Sequence, residues 1–138
     1  MQLLRTIDTL DRFRSNHSYK KVGLVPTMGA LHDGHLSLIQ QAKEHCDIVI
    51  VSVFVNPTQF GPTEDFSVYP RNIDQDLDQC ERAGVDAVFL PSTNMMYPNH
   101  ITTEVHVPKL SSLYCGKTRP THFKGVTSIV CRLFHLIH

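Results

Sequence analysis

Apolar residues along this 138-residue chain recur with two alternating periods, one helical and one extended. Leu3, Ile7, Leu10 and Phe13 fall on one stripe and predict a helix over positions 3–14. Positions 22–25 form a short apolar strand that Pro26 is expected to end. Leu38, Ile39, Ala42 and Cys46 share one face of a second helix over 34–45, with Asp33 as its N-cap. Positions 48–55 are almost wholly apolar and rich in β-branched residues, the composition of a central parallel strand covered on both faces.

The next stretch, 56–72, is polar and carries Pro57, Gly61, Pro62 and Pro70. A loop of that length inside a compact domain is usually functional. A third helix follows over 73–83, with Ile73, Leu77 and Cys80 inward and Gly84 as its stop. Positions 86–90 read as a strand, 91–100 as a loop and 103–107 as an edge strand. From 121 onward Val126, Ile129, Val130, Leu133, Phe134 and Ile137 recur at helical spacing.

This β-α-β-α-β order predicts an α/β fold: a Rossmann-like parallel sheet with flanking helices and right-handed crossovers. Segments 22–25, 48–55 and 86–90 are expected in one sheet. Ligands of such sheets bind beyond the carboxyl ends of the strands, where the 26–35 turn and the 56–72 loop both leave. Three clear strands and a helical pattern running to His138 read as a truncated sheet, the front piece of a longer enzyme.

Composition narrows the partners. Thirteen Lys and Arg balance thirteen Asp and Glu, so bulk charge predicts neither a nucleic-acid nor a membrane partner. No apolar run reaches membrane-spanning length, and Arg5 and Asp8 interrupt any signal-peptide core. Cys46, Cys80, Cys115 and Cys131 contain no Cys-x-x-Cys pair, which argues against zinc. Cys46, Cys80 and Cys131 read as small buried hydrophobes in a reducing cytoplasm.

The chemistry concentrates where strand 22–25 turns into helix 34–45. His32 and His35 flank Asp33-Gly34 at a helix N-terminus. Free backbone N–H groups and a partial positive charge there attract phosphate. Two imidazoles add donors for negative charge on a departing pyrophosphate, which points to nucleotidyl transfer from a nucleoside triphosphate.

Five segments, in order, make the chain similar to the pantothenate synthetase (pantoate–β-alanine ligase) family. They are Pro-Thr-Met-Gly-Ala-Leu-His-Asp-Gly-His (26–35), Val-Phe-Val-Asn-Pro-Thr-Gln-Phe-Gly (53–61), Tyr-Pro-Arg (69–71), Met-Tyr-Pro (96–98) and Arg-Pro-Thr-His-Phe-Lys-Gly-Val (119–126). The first is shared with a wider class of nucleotidylyltransferases; the five together are specific to the ligase.

The resemblance implies an ATP-dependent condensation of pantoate with β-alanine. Pantoate is adenylated with release of pyrophosphate, and the β-alanine amine then displaces AMP. It implies ATP contacts from Met28, Gly29, Ala30, Leu31, His32, Asp33, Gly34 and His35, with His35 and His32 as the catalytic pair. Gln59 is expected to contact pantoate and β-alanine, with support from Asn56, Tyr69, Arg119 and His122. Asp76 is the expected Mg²⁺ carboxylate. The resemblance also implies a cytoplasmic homodimer.

On the same ground, residues 1–138 read as an incomplete N-terminal nucleotide-binding domain without the family's C-terminal domain, inactive by itself. Two other readings stay open. One is a different His-x-Gly-His nucleotidylyltransferase, acting on a phosphorylated substrate. The other is a nucleotide-binding module without turnover.

Overall fold

In the computed structural model, which describes residues 1–61, 64, 66–98 and 103–138, four strands make one parallel sheet in the order β1-β4-β3-β2. These are β1 (Gln2–Leu4), β2 (Val22–Thr27), β3 (Ile48–Val53) and β4 (Ala87–Phe89). Their register pairs Val25 with Val51, Val51 with Val88 and Leu3 with Val88.

Strand β3 explains the layering. It is buried at every position, and its side chains alternate between two cores. Ile48 and Ile50 join Leu10 and Phe13 of α1 (Ile7–Asn16) and Ile129, Leu133 and Ile137 of α7 (His122–Ile137). Val49, Val51 and Val53 join Ile39 of α2 (Asp33–His45) and Cys80 of α3 (Ile73–Arg82). A residue run apolar on both faces thus builds a three-layer α/β/α domain.

Short helices α4 (Thr93–Met96), α5 (Pro108–Ser111) and α6 (Cys115–Thr118) link β4 to α7. Arg14 closes the far end of α7, its Nε donating to the Ile137 carbonyl at 2.6 Å. No helix among the described residues is long and apolar enough to cross a membrane.

Several expectations are corrected. The helix expected over 3–14 starts only at Ile7, where Thr6 and Thr9 form a capping box. The preceding residues extend the sheet instead, with Leu90 N–H donating to the Leu4 carbonyl at 2.8 Å. Leu4 is fully buried, whereas Leu3, placed on the helical stripe, is exposed. Pro26 does not end β2; as the last strand of the described sheet, β2 tolerates a proline that an inner strand would not.

The expected edge strand over 103–107 does not form. The Val105 N–H instead donates to Ser128 Oγ at 2.9 Å, and its carbonyl accepts from Thr127 Oγ1 at 2.6 Å. Side chains of α7 have taken the groups a neighbouring strand would use. Leu38, Ile73, Phe134 and Cys131 face solvent, and Cys46 is half-buried. Pro62 in the first expected loop and His100 in the second lie outside the described residues.

Candidate functional site

The turn after β2 is held by a residue far along the chain. Gly29 and Ala30 both adopt left-handed backbone, at φ 80° and 52°. A Cβ on Gly29 would lie 2.7 Å from Asp76 Oδ2, so glycine is required twice over. Asp76 is 3% exposed, and its carboxylate accepts the Ala30 N–H at 3.0 Å and the Leu31 N–H at 2.8 Å. Helix α3 therefore sets the conformation of the turn.

His32, not Asp33, caps α2: its Nδ1 accepts the Gly34 N–H at 3.1 Å. That bond fixes a lone pair on Nδ1, so the ring's proton sits on Nε2. With Gly29, Ala30, Leu31 and Gly34 engaged, the amides of Met28, His32 and Asp33 are the main-chain donors without a hydrogen bond among the described residues of this turn.

The His32 and His35 rings pack with centroids 4.1 Å apart. Burial lowers the His35 pKa below its ordinary value, the neighbouring His32 lowers it further, and Asp76 opposes them. His35 Nδ1 is buried without a partner, which leaves Nε2 as the nitrogen a bound group can reach.

A cavity of about 240 Å³ brings Met28, His35, Asn56, Gln59 and Tyr69 together, walled by Val126, Ile129, Val130 and Leu133 of α7. Asn56 is its buried anchor. It caps the 3₁₀ turn Pro57–Gln59 and donates from Nδ2 to Gln59 Oε1 at 3.1 Å and to the Gly125 carbonyl at 3.2 Å. Burial and the Asp76 charge raise the Tyr69 pKa, so its phenol stays protonated at neutral pH.

Arg119 and His122 stand behind this cavity rather than in it. His122 Nδ1 donates to the Gln59 carbonyl at 2.8 Å, and Arg119 reaches the same carbonyl at 3.3 Å. The guanidinium also forks onto Glu64, through Nε to Oε1 and through NH2 to Oε2 at 3.0 Å. Arg119, with a smaller contribution from the Gly61 N–H, holds the Glu64 carboxyl below its ordinary range.

Not every expected residue converges. Gly29, Ala30, Leu31, Asp33 and Gly34 stay outside the cavity, and His32 reaches it only through its contact with His35. Asp76 borders a separate space of about 220 Å³ beside Met28. Both of its oxygens are already engaged, and no three His, Cys, Asp or Glu side chains among the described residues could hold a metal ion. The donor set thus suits positioning of the turn, not metal ligation.

Four contributors were missed from sequence. Glu64 gave no signal beyond its place in the long loop. Thr58 and Tyr97 both bond Asn56 Oδ1, and Tyr97 is the middle residue of Met-Tyr-Pro (96–98). Gly125 was an isolated glycine in a helical pattern, which signals close backbone approach. A Cβ there would overlap the Thr58 carbonyl and sit 2.6 Å from the Gln59 nitrogen.

The pantoate-beta-alanine ligase family profile matches residues 2–138. Pantothenate synthetase of Thermoanaerobacter sp. (strain X514) is 56% identical over 119 residues, covering 86% of this chain and 42% of that protein. The enzyme of Acetivibrio thermocellus is 48% identical over 139 residues, covering 97% and 50%. Pantothenate synthetase from Thermus thermophilus superposes with a TM-score of 0.91 at 44% identity, covering 99% of this chain and 49% of that one. Pantoate-beta-alanine ligase from Francisella tularensis, solved with beta-gamma ATP and beta-alanine, gives 0.92 at 38% identity, covering 99% and 53%. The chain spans about half the length of the relatives it matches.

Proposed function

Because the chain belongs to the pantoate–β-alanine ligase family, we propose that its protein joins pantoate to β-alanine with ATP, as a cytoplasmic homodimer. The supporting observation is the single cavity uniting His35 and Gln59, the two residues expected to face the reacting groups. The ligands of the Francisella tularensis relative agree with this reading.

A carboxylate has no adequate leaving group, and adenylation supplies AMP as one. Such chemistry needs positioning and charge stabilisation more than covalent catalysis. The open His32 and Asp33 amides, the His32 ring and the amino end of α2 receive phosphate oxygens. His35 Nε2 stabilises the charge that builds on departing pyrophosphate. Gln59 orients the acid from the opposite wall. Arg119 and His122 act behind it, by fixing the Gln59 main chain.

Mg²⁺ would enter with the triphosphate, which supplies oxygen ligands of its own. The described residues do not form a site for it, so no step is assigned to the metal. The four cysteines are unpaired, which suits a reducing compartment. Exposed Leu110, Leu113 and Tyr114 offer apolar surface for a second copy.

The complete protein should exchange radioactive pyrophosphate into ATP only when pantoate is present, and release AMP continuously only when β-alanine is added. Exchange that ignores pantoate, or needs a phosphorylated acceptor, would replace this reading with another nucleotidylyltransferase. Light scattering should give twice the protomer mass.

A further inference from the structure

We infer that Tyr97 is a positioning residue which, through Asn56, holds the Gln59 amide with its N–H group toward the cleft. The inference rests on the proposed role of Gln59 in binding the acid. Asn56 is 1% exposed, and its Oδ1 collects three donors. These are the Tyr97 hydroxyl at 2.8 Å, Thr58 Oγ1 at 3.0 Å and the Thr58 N–H at 3.3 Å. The phenol makes the shortest of the three bonds. Its burial raises the Tyr97 pKa, which keeps the hydroxyl a donor.

Polarity then propagates. A flipped Asn56 amide would set its oxygen against the Gly125 carbonyl and its NH₂ against the Thr58 N–H, so Nδ2 must face Gln59. Gln59 Oε1 thereby accepts from Asn56, and Nε2 points forward, where its partner is the Met28 sulfur at 3.0 Å. A thioether is a weak acceptor, so this donor is free to exchange it for a carboxylate or hydroxyl oxygen. Gln59 therefore turns its donor toward the cleft, with one lone pair of Oε1 already engaged by Asn56. That donor selects an oxygen of the acid.

Tyr97→Phe removes one hydroxyl and keeps the ring, which packs 6.2 Å from Phe54 and lies 5.8 Å from the Arg132 guanidinium. Two measurements on the complete protein test the inference. In ¹⁵N spectra, the side-chain amide signals of Asn56 and Gln59 should both move in Tyr97→Phe. In calorimetry with a non-reacting ATP analogue present, the Kd for pantoate should rise about 3- to 10-fold, the scale of one neutral hydrogen bond. The Kd for the analogue should stay unchanged. In a Gln59→Ala background, Tyr97→Phe should add nothing. A Gln59 signal that stays in place, or an effect that adds in full to Gln59→Ala, overturns the inference. If the parent protein does not bind pantoate, the proposed function falls, and the amide signals alone decide the role of Tyr97.

Discussion

The Asp76 carboxylate accepts the Leu31 main-chain N–H at 2.8 Å across 45 positions of sequence, and so holds the turn from a neighbouring helix. Asp76→Asn keeps one acceptor and turns an N–H toward the other amide. Stability should fall by about 1.5–3 kcal/mol, the scale for a charged hydrogen bond. The KM for ATP should rise more than the KM for pantoate. Urea unfolding and steady-state kinetics read the two effects; a variant unchanged in both would refute the positioning role.

Gly125→Ala should be harmful although alanine is the better helix former. The propensity gain is about 1 kcal/mol. The new methyl would meet main-chain atoms of Thr58 and Gln59, which cannot rotate aside. Overpacking of this kind costs about 1–3 kcal/mol, and relief must displace Gln59. Catalytic efficiency should drop at least about tenfold, equivalent to about 1.4 kcal/mol of transition-state binding. Full activity would show that α7 can move away without consequence.

His35 predicts a pH dependence of known sign. Its folded pKa lies below the ordinary His value, so the unfolded chain binds the proton more readily. The associated stability is fully present above about pH 6.5 and is lost as pH falls through the lowered folded value. His35→Gln removes this dependence. Unfolding free energies of parent and variant should therefore run parallel above that pH, with the parent losing more on acidification. An opposite trend would contradict the buried, depressed imidazole.

The same side chain should act mainly in the transition state. His35→Ala is expected to lower the rate of adenylate formation by about 100-fold or more, as for loss of one oxyanion donor, with a smaller change in ATP affinity. Single-turnover kinetics separates the two. Equal rates at saturating substrates would remove His35 from the chemistry.

Arg119→Lys replaces a planar fork by a point charge that cannot serve Glu64, His122 and the Gln59 carbonyl together. Limited proteolysis between 60 and 72 should accelerate. In the parent, the depressed Glu64 pKa keeps the ion pair intact to lower pH than an ordinary glutamate would. The latch contribution is present above about pH 4.3 and disappears as pH falls through the lowered folded value. Cleavage at the same rate in parent and variant would show that the latch does not restrain this segment.

What the sequence made legible was periodic or clustered. The nearly unbroken apolar run over 48–55 announced a strand buried on both faces, and His32 with His35 announced the turn. The strand at Gln2–Leu4 was hidden because Leu3, Ile7 and Leu10 also satisfy a helical stripe, and only pairing with β4 decides between them. The expected strand at 103–107 failed because its alternation is real but its hydrogen bonds go to Thr127 and Ser128. Asp76 was legible as a functional carboxylate, yet its part in the turn depends on contacts 45 residues away. Glu64 and Gly125 matter through one ion pair and one missing methyl, neither of which leaves a period to read.

Helix α7 has one end against the Gln59 main chain and the other under Arg14. Its sixteen residues span about 24 Å at about 1.5 Å each. With no side chain at Gly125 to act as a cushion, the helix works as a stiff rod between the amino-terminal helix and the cavity wall. The main chain of Thr58 and Gln59 is the first group that a shift of this rod along the cavity would meet. Thermal motion at these two distant ends should be correlated.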